Sequence, residues 1–191
     1  YRIVASPVLP TIPLFTLAGY MLAEGGASKR IVELFKHLLG WLPAGPAIAT
    51  VFVCTFFTTF TGASGVTILA VGGLLLPVLL ASGFDRSFSI GLVTATGSLG
   101  LLFPPALPII FYGVISHTPI NQLFVAGAIP GLLLLLGVSA YVWFRSTRMN
   151  IKKLPFNSRG AWQAVSHAKW ELLIPVIALG GIFSGIMTLV E

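Results

Sequence analysis

Between His37 and Phe144 the chain carries only two formal charges, and they are neighbours, Asp85 and Arg86. A soluble domain breaks up its buried elements with charged turns roughly every 10 to 20 residues. So sparse a polar pattern places both halves of the stretch in lipid, with Asp85-Arg86 returning to water between them. Ahead of it, residues 7–24 are apolar from Pro7 to Glu24 and close on Gly25-Gly26, which predicts a first span. Ser28 then reads as the N-cap of an amphipathic helix over 28–41. Ile31, Leu34, Phe35, Leu38 and Leu39 recur there at helical spacing, and Lys29, Arg30, Glu33 and Lys36 take the other side. Such a helix lies along the membrane interface, with Trp41 as its aromatic anchor.

Two later segments do not read as simple spans. Residues 44–82, taken as one helix, would be about twice as long as a bilayer core of ~30 Å needs. Thr61-Gly62-Ala63-Ser64-Gly65 divides them into arms 44–60 and 66–82. A turn at the membrane surface would carry charge and this one carries none, so its tip is expected within the membrane, as a re-entrant helical hairpin. Irregular backbone is tolerated at that depth only where protein or a water-filled cavity satisfies it. Residues 87–117 hold Gly97 and Gly100, then Pro104-Pro105 and Pro108. Proline lacks a backbone donor and clashes with the preceding turn, and the residue before it avoids helical geometry. The expected course is helix 87–98, an unwound stretch around 97–105, and helix 106–116. Residues 119–144 form an uninterrupted span ending at Tyr141, Trp143 and Arg145. The segment 145–170 is a basic loop with a short amphipathic helix around 159–169, and another span begins at 172.

Composition agrees with this pattern. The chain is 56% hydrophobic and 8% charged, against a charged fraction of about 25% in soluble domains, which makes it an all-α membrane protein. It begins at Tyr1 rather than Met and ends directly after an apolar run, so a fragment of a longer chain is expected, and residues 1–25 lack the pattern of a secretory leader. The single cysteine, Cys54, excludes a disulfide within the chain and reads as a small packing residue. The net charge of +6 does not indicate nucleic acid. Arg145, Arg148, Lys152, Lys153, Arg159 and Lys169 cluster in the loop, and with Lys29, Arg30 and Lys36 they fall on one side of the membrane if the hairpin is re-entrant; only Arg2 falls opposite. The basic side is then cytoplasmic.

Broken helices meeting near the bilayer midplane expose backbone carbonyls and helix-end N–H groups, which suit a desolvated Na⁺ and an anionic substrate respectively. Thr61, Ser64 and Thr67 offer hydroxyls at one interruption, and Thr94, Thr96 and Ser98 at the other. All are neutral donors, and no titratable residue sits in the membrane core as a proton carrier would need, so Na⁺ is the expected coupling ion. Each hydroxyl has the alternative of bonding back to its own helix.

The residues now carry a resemblance. Thr61-Gly62-Ala63-Ser64-Gly65-Val66, with Val71-Gly72-Gly73-Leu74-Leu75-Leu76-Pro77 and Gly83-Phe84-Asp85, resembles the first hairpin of the large membrane subunit of tripartite ATP-independent periplasmic (TRAP) transporters. The run from Gly97 to Pro108, then Tyr112-Gly113-Val114, Leu123 to Gly127 and Pro130-Gly131, is similar to the family's next block, and Pro13 to Gly19 to its early helix. The resemblance implies an elevator-type secondary transporter of two inverted repeats. Residues 1–144 would form the first membrane repeat, 145–170 a cytoplasmic loop, and 171–191 the start of the second repeat. It implies Na⁺-driven import of an organic acid anion across a bacterial inner membrane, with a small membrane subunit and a periplasmic substrate-binding protein as partners. By the same analogy Thr61, Gly62, Ala63, Ser64 and Gly65 would form a Na⁺ site with Thr96, Gly97, Ser98 and Gly100, while Thr67, Pro104 and Pro105 would face the substrate. The family's tip is often Ser-Gly-Ser-Ala followed closely by an acid. Here one hydroxyl is displaced and Thr67 replaces the acid, which leaves the ligating hydroxyl open.

A rival reading comes from catalysis. Gly62-Ala63-Ser64-Gly65 fits the G-x-S-G pattern around the nucleophile of rhomboid intramembrane proteases, which would need a histidine base near Ser64. His117 is the one candidate, and Pro119, Asn121 and Gln122 place it at the outer surface.

Overall fold

The computed structural model describes residues 11–42, 44–149 and 158–184, and every regular element among them is a helix. Residues 7–10 of the expected first span, Lys152 and Lys153 of the basic loop, and 185–191 lie outside the described residues. Helix α1 (Thr11–Glu24) and α2 (Ala27–Leu39) are joined by Gly25-Gly26. Gly26, in the left-handed region at φ 78°, is the residue that caps α2. Ser28 is therefore not the N-cap expected from the sequence. A residue without Cβ lets the chain reverse within two positions, which draws Ser28 into the first turn, where it is buried.

Helix α3 (Gly45–Thr61) is the axis of the molecule. All of its residues except Phe52 and Phe56 are buried, as an all-round apolar helix requires, and α1, α2, α4, α6 and α8 pack around it. In lipid such packing relies on close backbone approach at small residues rather than on expulsion of water. Gly100 supplies one such approach: a Cβ there would overlap the Thr55 carbonyl oxygen and stand 2.6 Å from Thr58 Cβ.

The hairpin is broken as expected, though more sharply. Only Gly62 and Ala63 are non-helical, and Ser64 and Gly65 already open α4 (Ser64–Ala70). The second arm is not the single helix expected over 66–82, because α4 and α5 (Gly72–Ala81) meet at a bend of 51°. Gly72 and Gly73 weaken the helix there and Pro77 removes a donor one turn on. The bend seats Gly72 on α6, where a Cβ would lie 2.8 Å from Val93 Cγ1. Helix α5 contacts α2, which precedes α3, so the chain doubles back on itself.

Asp85 caps α6 (Arg86–Leu99) by accepting from the N–H of Ser87 at 3.0 Å and of Phe88 at 3.3 Å. The second interruption is shorter than the expected 97–105. Helix α6 persists through Leu99, a 3₁₀ turn covers Gly100–Leu102, and only Phe103 to Ala106 leave helical geometry before α7 (Leu107–Ser116). Residues Arg86–Leu102 and α7 meet at 40°. Helix α8 (Ile120–Thr147) follows, then α9 (Ser158–His167) and α10 (Lys169–Phe183). Among the described residues α8 alone is long and apolar enough to cross a membrane, and each bent pair passes as a span only when its two halves are joined. Just 17% of the most apolar stretch of α8 is buried, so its remaining surface requires lipid or a partner.

Candidate functional site

The hairpin break is a helix end that only glycine fits. Thr61 closes α3, and Gly62 turns into the left-handed region at φ 61° while its N–H bonds the Thr58 carbonyl at 2.9 Å. Ala63 is extended. This is the αL termination that spares a Cβ penalty. Side-chain space makes the same demand, since a Cβ on Gly62 would lie 2.7 Å from Leu107 Cδ1. The first residue of α7 thus underlies the hairpin break. From the other half of the broken helix, a Cβ on Gly97 would lie 2.7 Å from Ile68 Cγ1 and 3.7 Å from the Ser64 carbonyl oxygen. Both halves of the second interruption touch the first.

Hydroxyls divide into two groups across this junction. The inner group is buried and bonded within the protein. Thr58 donates to the Gly97 carbonyl at 2.8 Å, and Thr59 shares its proton between the carbonyls of Thr55 at 2.9 Å and Gly100 at 3.2 Å. The Thr61 and Thr67 hydroxyls meet at 3.1 Å, and Thr96 donates to Leu92 O at 2.7 Å. The outer group is at least partly accessible. Ser64 is half-buried, and Gly65, Thr94 and Ser98 are exposed; Thr94 bonds back to Ile90 O at 2.9 Å.

Of the residues singled out from the sequence, Thr61, Gly62, Ser64 and Gly97 are brought together. Thr96 is close in sequence but turned inward, and Thr67 is buried against Thr61 rather than open to a substrate. Pro105 is buried. Pro104 lines an apolar cavity of about 250 Å³ with Phe35, Phe52, Phe56 and Leu135, whose wall includes none of Ser64, Thr67 or Ser98. Sequence reasoning missed Thr58 and Thr59, which splice α3 to the second interruption. Their signal was available: Thr55, Thr58 and Thr59 recur at i, i+3 and i+4 on one face of an otherwise apolar helix.

The junction is electrically neutral. No cluster of three or more His, Cys, Asp or Glu occurs among the described residues. Its chemistry is that of uncharged oxygens: the Ser64 hydroxyl and carbonyl, and the α3 carbonyls that follow Thr58, whose own oxygen the Gly62 N–H takes. Such a set suits a hard cation better than a transition metal. His117, expected at an outer surface, ends α7 in the left-handed region at φ 55° and is exposed.

A family model for the DctM component of the tripartite ATP-independent periplasmic transporters matches residues 2–191. The isethionate TRAP transporter permease protein DctMQ of Oleidesulfovibrio alaskensis is 40% identical over 182 residues, covering 94% of this chain and 29% of that protein. The C4-dicarboxylate TRAP transporter large permease protein DctM of Vibrio cholerae is 34% identical, with 96% of this chain and 41% of the relative covered. The ectoine TRAP transporter large permease protein TeaC of Halomonas elongata is 33% identical, with 96% and 43% covered. The chain therefore spans well under half the length of these relatives.

Proposed function

Since this chain belongs to the DctM component family of the tripartite ATP-independent periplasmic transporters, we propose that it forms part of the large permease subunit of a Na⁺-coupled importer of a small organic acid anion. The observation that carries the coupling is the neutral junction: the Ser64 carbonyl lies near Gly97, Thr58 bonds the Gly97 carbonyl, and residues 38–84 and 87–116 contain no Asp, Glu, His, Lys or Arg. Ser64, Gly65 and Ser98 are at least partly accessible, and there a Na⁺ entering with the substrate would exchange water for protein oxygens. Thr58 and Thr59 hold the two interruptions in register behind it, and Thr61 and Thr67 brace the first.

In this reading 1–144 is one repeat of an inverted pair, 145–170 is a cytoplasmic loop, and 171–191 opens the second repeat. The hairpin α3–α5 is re-entrant, and it moves with α6 and α7 against the remaining helices in an elevator cycle. A small membrane subunit and a periplasmic binding protein complete the system in the inner membrane. The relatives are named for isethionate, C4-dicarboxylates and ectoine, and their range makes a panel of such solutes the starting point. The protease reading of Ser64 is withdrawn, because the family is one of transporter permeases and not of enzymes.

The test is uptake into proteoliposomes by the full-length large subunit with its small subunit and binding protein, over a Na⁺ titration. Ser64→Ala is expected to raise the Na⁺ concentration for half-maximal uptake by about tenfold, the loss of one charge-assisted contact. A wild-type rate independent of Na⁺ would refute the coupling.

A further inference from the structure

Away from the junction, Arg30 and Glu171 form the one salt bridge among the described residues. It joins α2 to the first turn of α10, 141 positions apart in the chain, where a negative charge also suits the positive end of the helix. Arg30 Nε donates to Glu171 Oε1 at 2.6 Å, and Nη2 contacts the same oxygen. The two ends differ in their access to water: the Glu171 side chain is 6% exposed and that of Arg30 42%. A pair exposed at both ends would hold little. Here separation would strand a dry carboxylate, whose Oε2 has no hydrogen-bond partner among the described residues, and an unpaired buried charge is strongly destabilising.

The surroundings give the pair its leverage. Helix α9 packs along α2 with Ala161 and Ala164 buried, and a single turn residue, Ala168, interrupts the helical course before α10. Beyond that turn α10 meets α1 and α2 across a cavity of about 240 Å³, lined by Met21, Leu22 and Ile174 as well as by the pair itself. Close packing does not fill this gap, and the salt bridge spans it. We infer that Arg30 and Glu171 are a positioning pair, a prop that fixes the direction α10 takes from Ala168 and so seats it on the first 40 residues of the chain. The functional consequence rests on the reading of α10 as the opening helix of a second repeat. In that reading α2 and α10 both belong to the helices against which the hairpin moves, and the prop keeps them one body. Toward the hairpin, α2 offers the stack of Phe35 on Phe52, with ring centroids 5.9 Å apart. Such an apolar contact can slide, because lipid tails are as apolar as the partner it leaves; a dry ion pair cannot.

The experiment is double electron–electron resonance on the full-length large subunit with its small subunit in nanodiscs. Spin labels go on Glu33→Cys in α2 and Val176→Cys in α10, both exposed positions. With the pair intact a single narrow distance is expected. Arg30→Met with Glu171→Met removes both charges and keeps the bulk; the folded yield should hold while the distance distribution widens or shifts beyond the native spread. Arg30→Met alone strands the carboxylate and should lose most of the folded protein, and adding Glu171→Met should restore it. Glu171→Gln strands no charge, so it folds more safely and should widen the distribution in the same sense. A distribution as narrow in the double variant, or in Glu171→Gln, as in the native protein overturns the prop, since packing then sets α10. A broad native distribution overturns it too, and that reading needs no variant of the pair. No uptake or ion is read, so failure here is distinct from failure of Na⁺ coupling.

Discussion

The inner and outer sides of the junction are built from the same residue types and behave differently. On the inner side Thr58, Thr59, Thr61, Thr67 and Thr96 are buried, each with its hydroxyl bonded to a carbonyl or to another threonine. On the outer side Ser64, Thr94 and Ser98 stand half-buried or exposed. The contrast separates two uses of hydroxyls within a membrane. Buried threonines such as Thr58 and Thr59 weld broken helices together, and slim serines at the edge remain available to a ligand. A cluster of hydroxyls around a helix break is therefore not one site but a weld and a site back to back.

If that division is right, the inner side answers to stability and the outer side to ions. The largest effect is expected at Gly100. Gly100→Val forces a branched side chain onto the α3 backbone at Thr55, and overpacking of this kind costs about 3 kcal/mol or more when backbone cannot yield. Little folded protein should survive detergent extraction, as read by size-exclusion chromatography. Next, Thr58→Val keeps the shape and removes a side-chain donor from the Gly97 carbonyl. Thermal unfolding should show a loss of about 1–2 kcal/mol, restored by Thr58→Ser, with half-maximal Na⁺ unchanged in whatever folds. On the outer side the pattern reverses: Ser64→Ala should shift half-maximal Na⁺ by about tenfold while stability moves by less than about 0.5 kcal/mol. Smallest is Thr94→Val, whose hydroxyl already bonds Ile90 O; a change of under about twofold in half-maximal Na⁺ is expected.

Much of this architecture was legible beforehand, because charge is so scarce that each polar interruption stands out. The hairpin break, the proline break, the amphipathic α2 and the long α8 all lie within a few residues of the positions their patterns indicated. What stayed hidden depended on tertiary partners. Ser28 carries a capping side chain, yet Gly26 won the cap by reaching a left-handed turn that serine does not. The bend between α4 and α5 has local sources in Gly72-Gly73 and Pro77, but the seat of Gly72 on Val93 has no local signature. Thr67 looked like a substrate contact because it follows the tip, whereas the turn of α4 points it back at Thr61. Thr58 and Thr59 were passed over because a threonine within an apolar run reads as filler until a facing helix presents a glycine carbonyl.

The most direct measurement is a cryo-EM map of the full-length transporter in high Na⁺ and in Na⁺-free choline. The account predicts a density that appears only with Na⁺, held between the Ser64 oxygens and the terminal carbonyls of α3 on the outer side, with the Thr58–Gly97 hydrogen bond present in both maps. An ion seated instead among Thr58, Thr59 and Thr96, or Ser64 turned onto dry helix in both states, would contradict it.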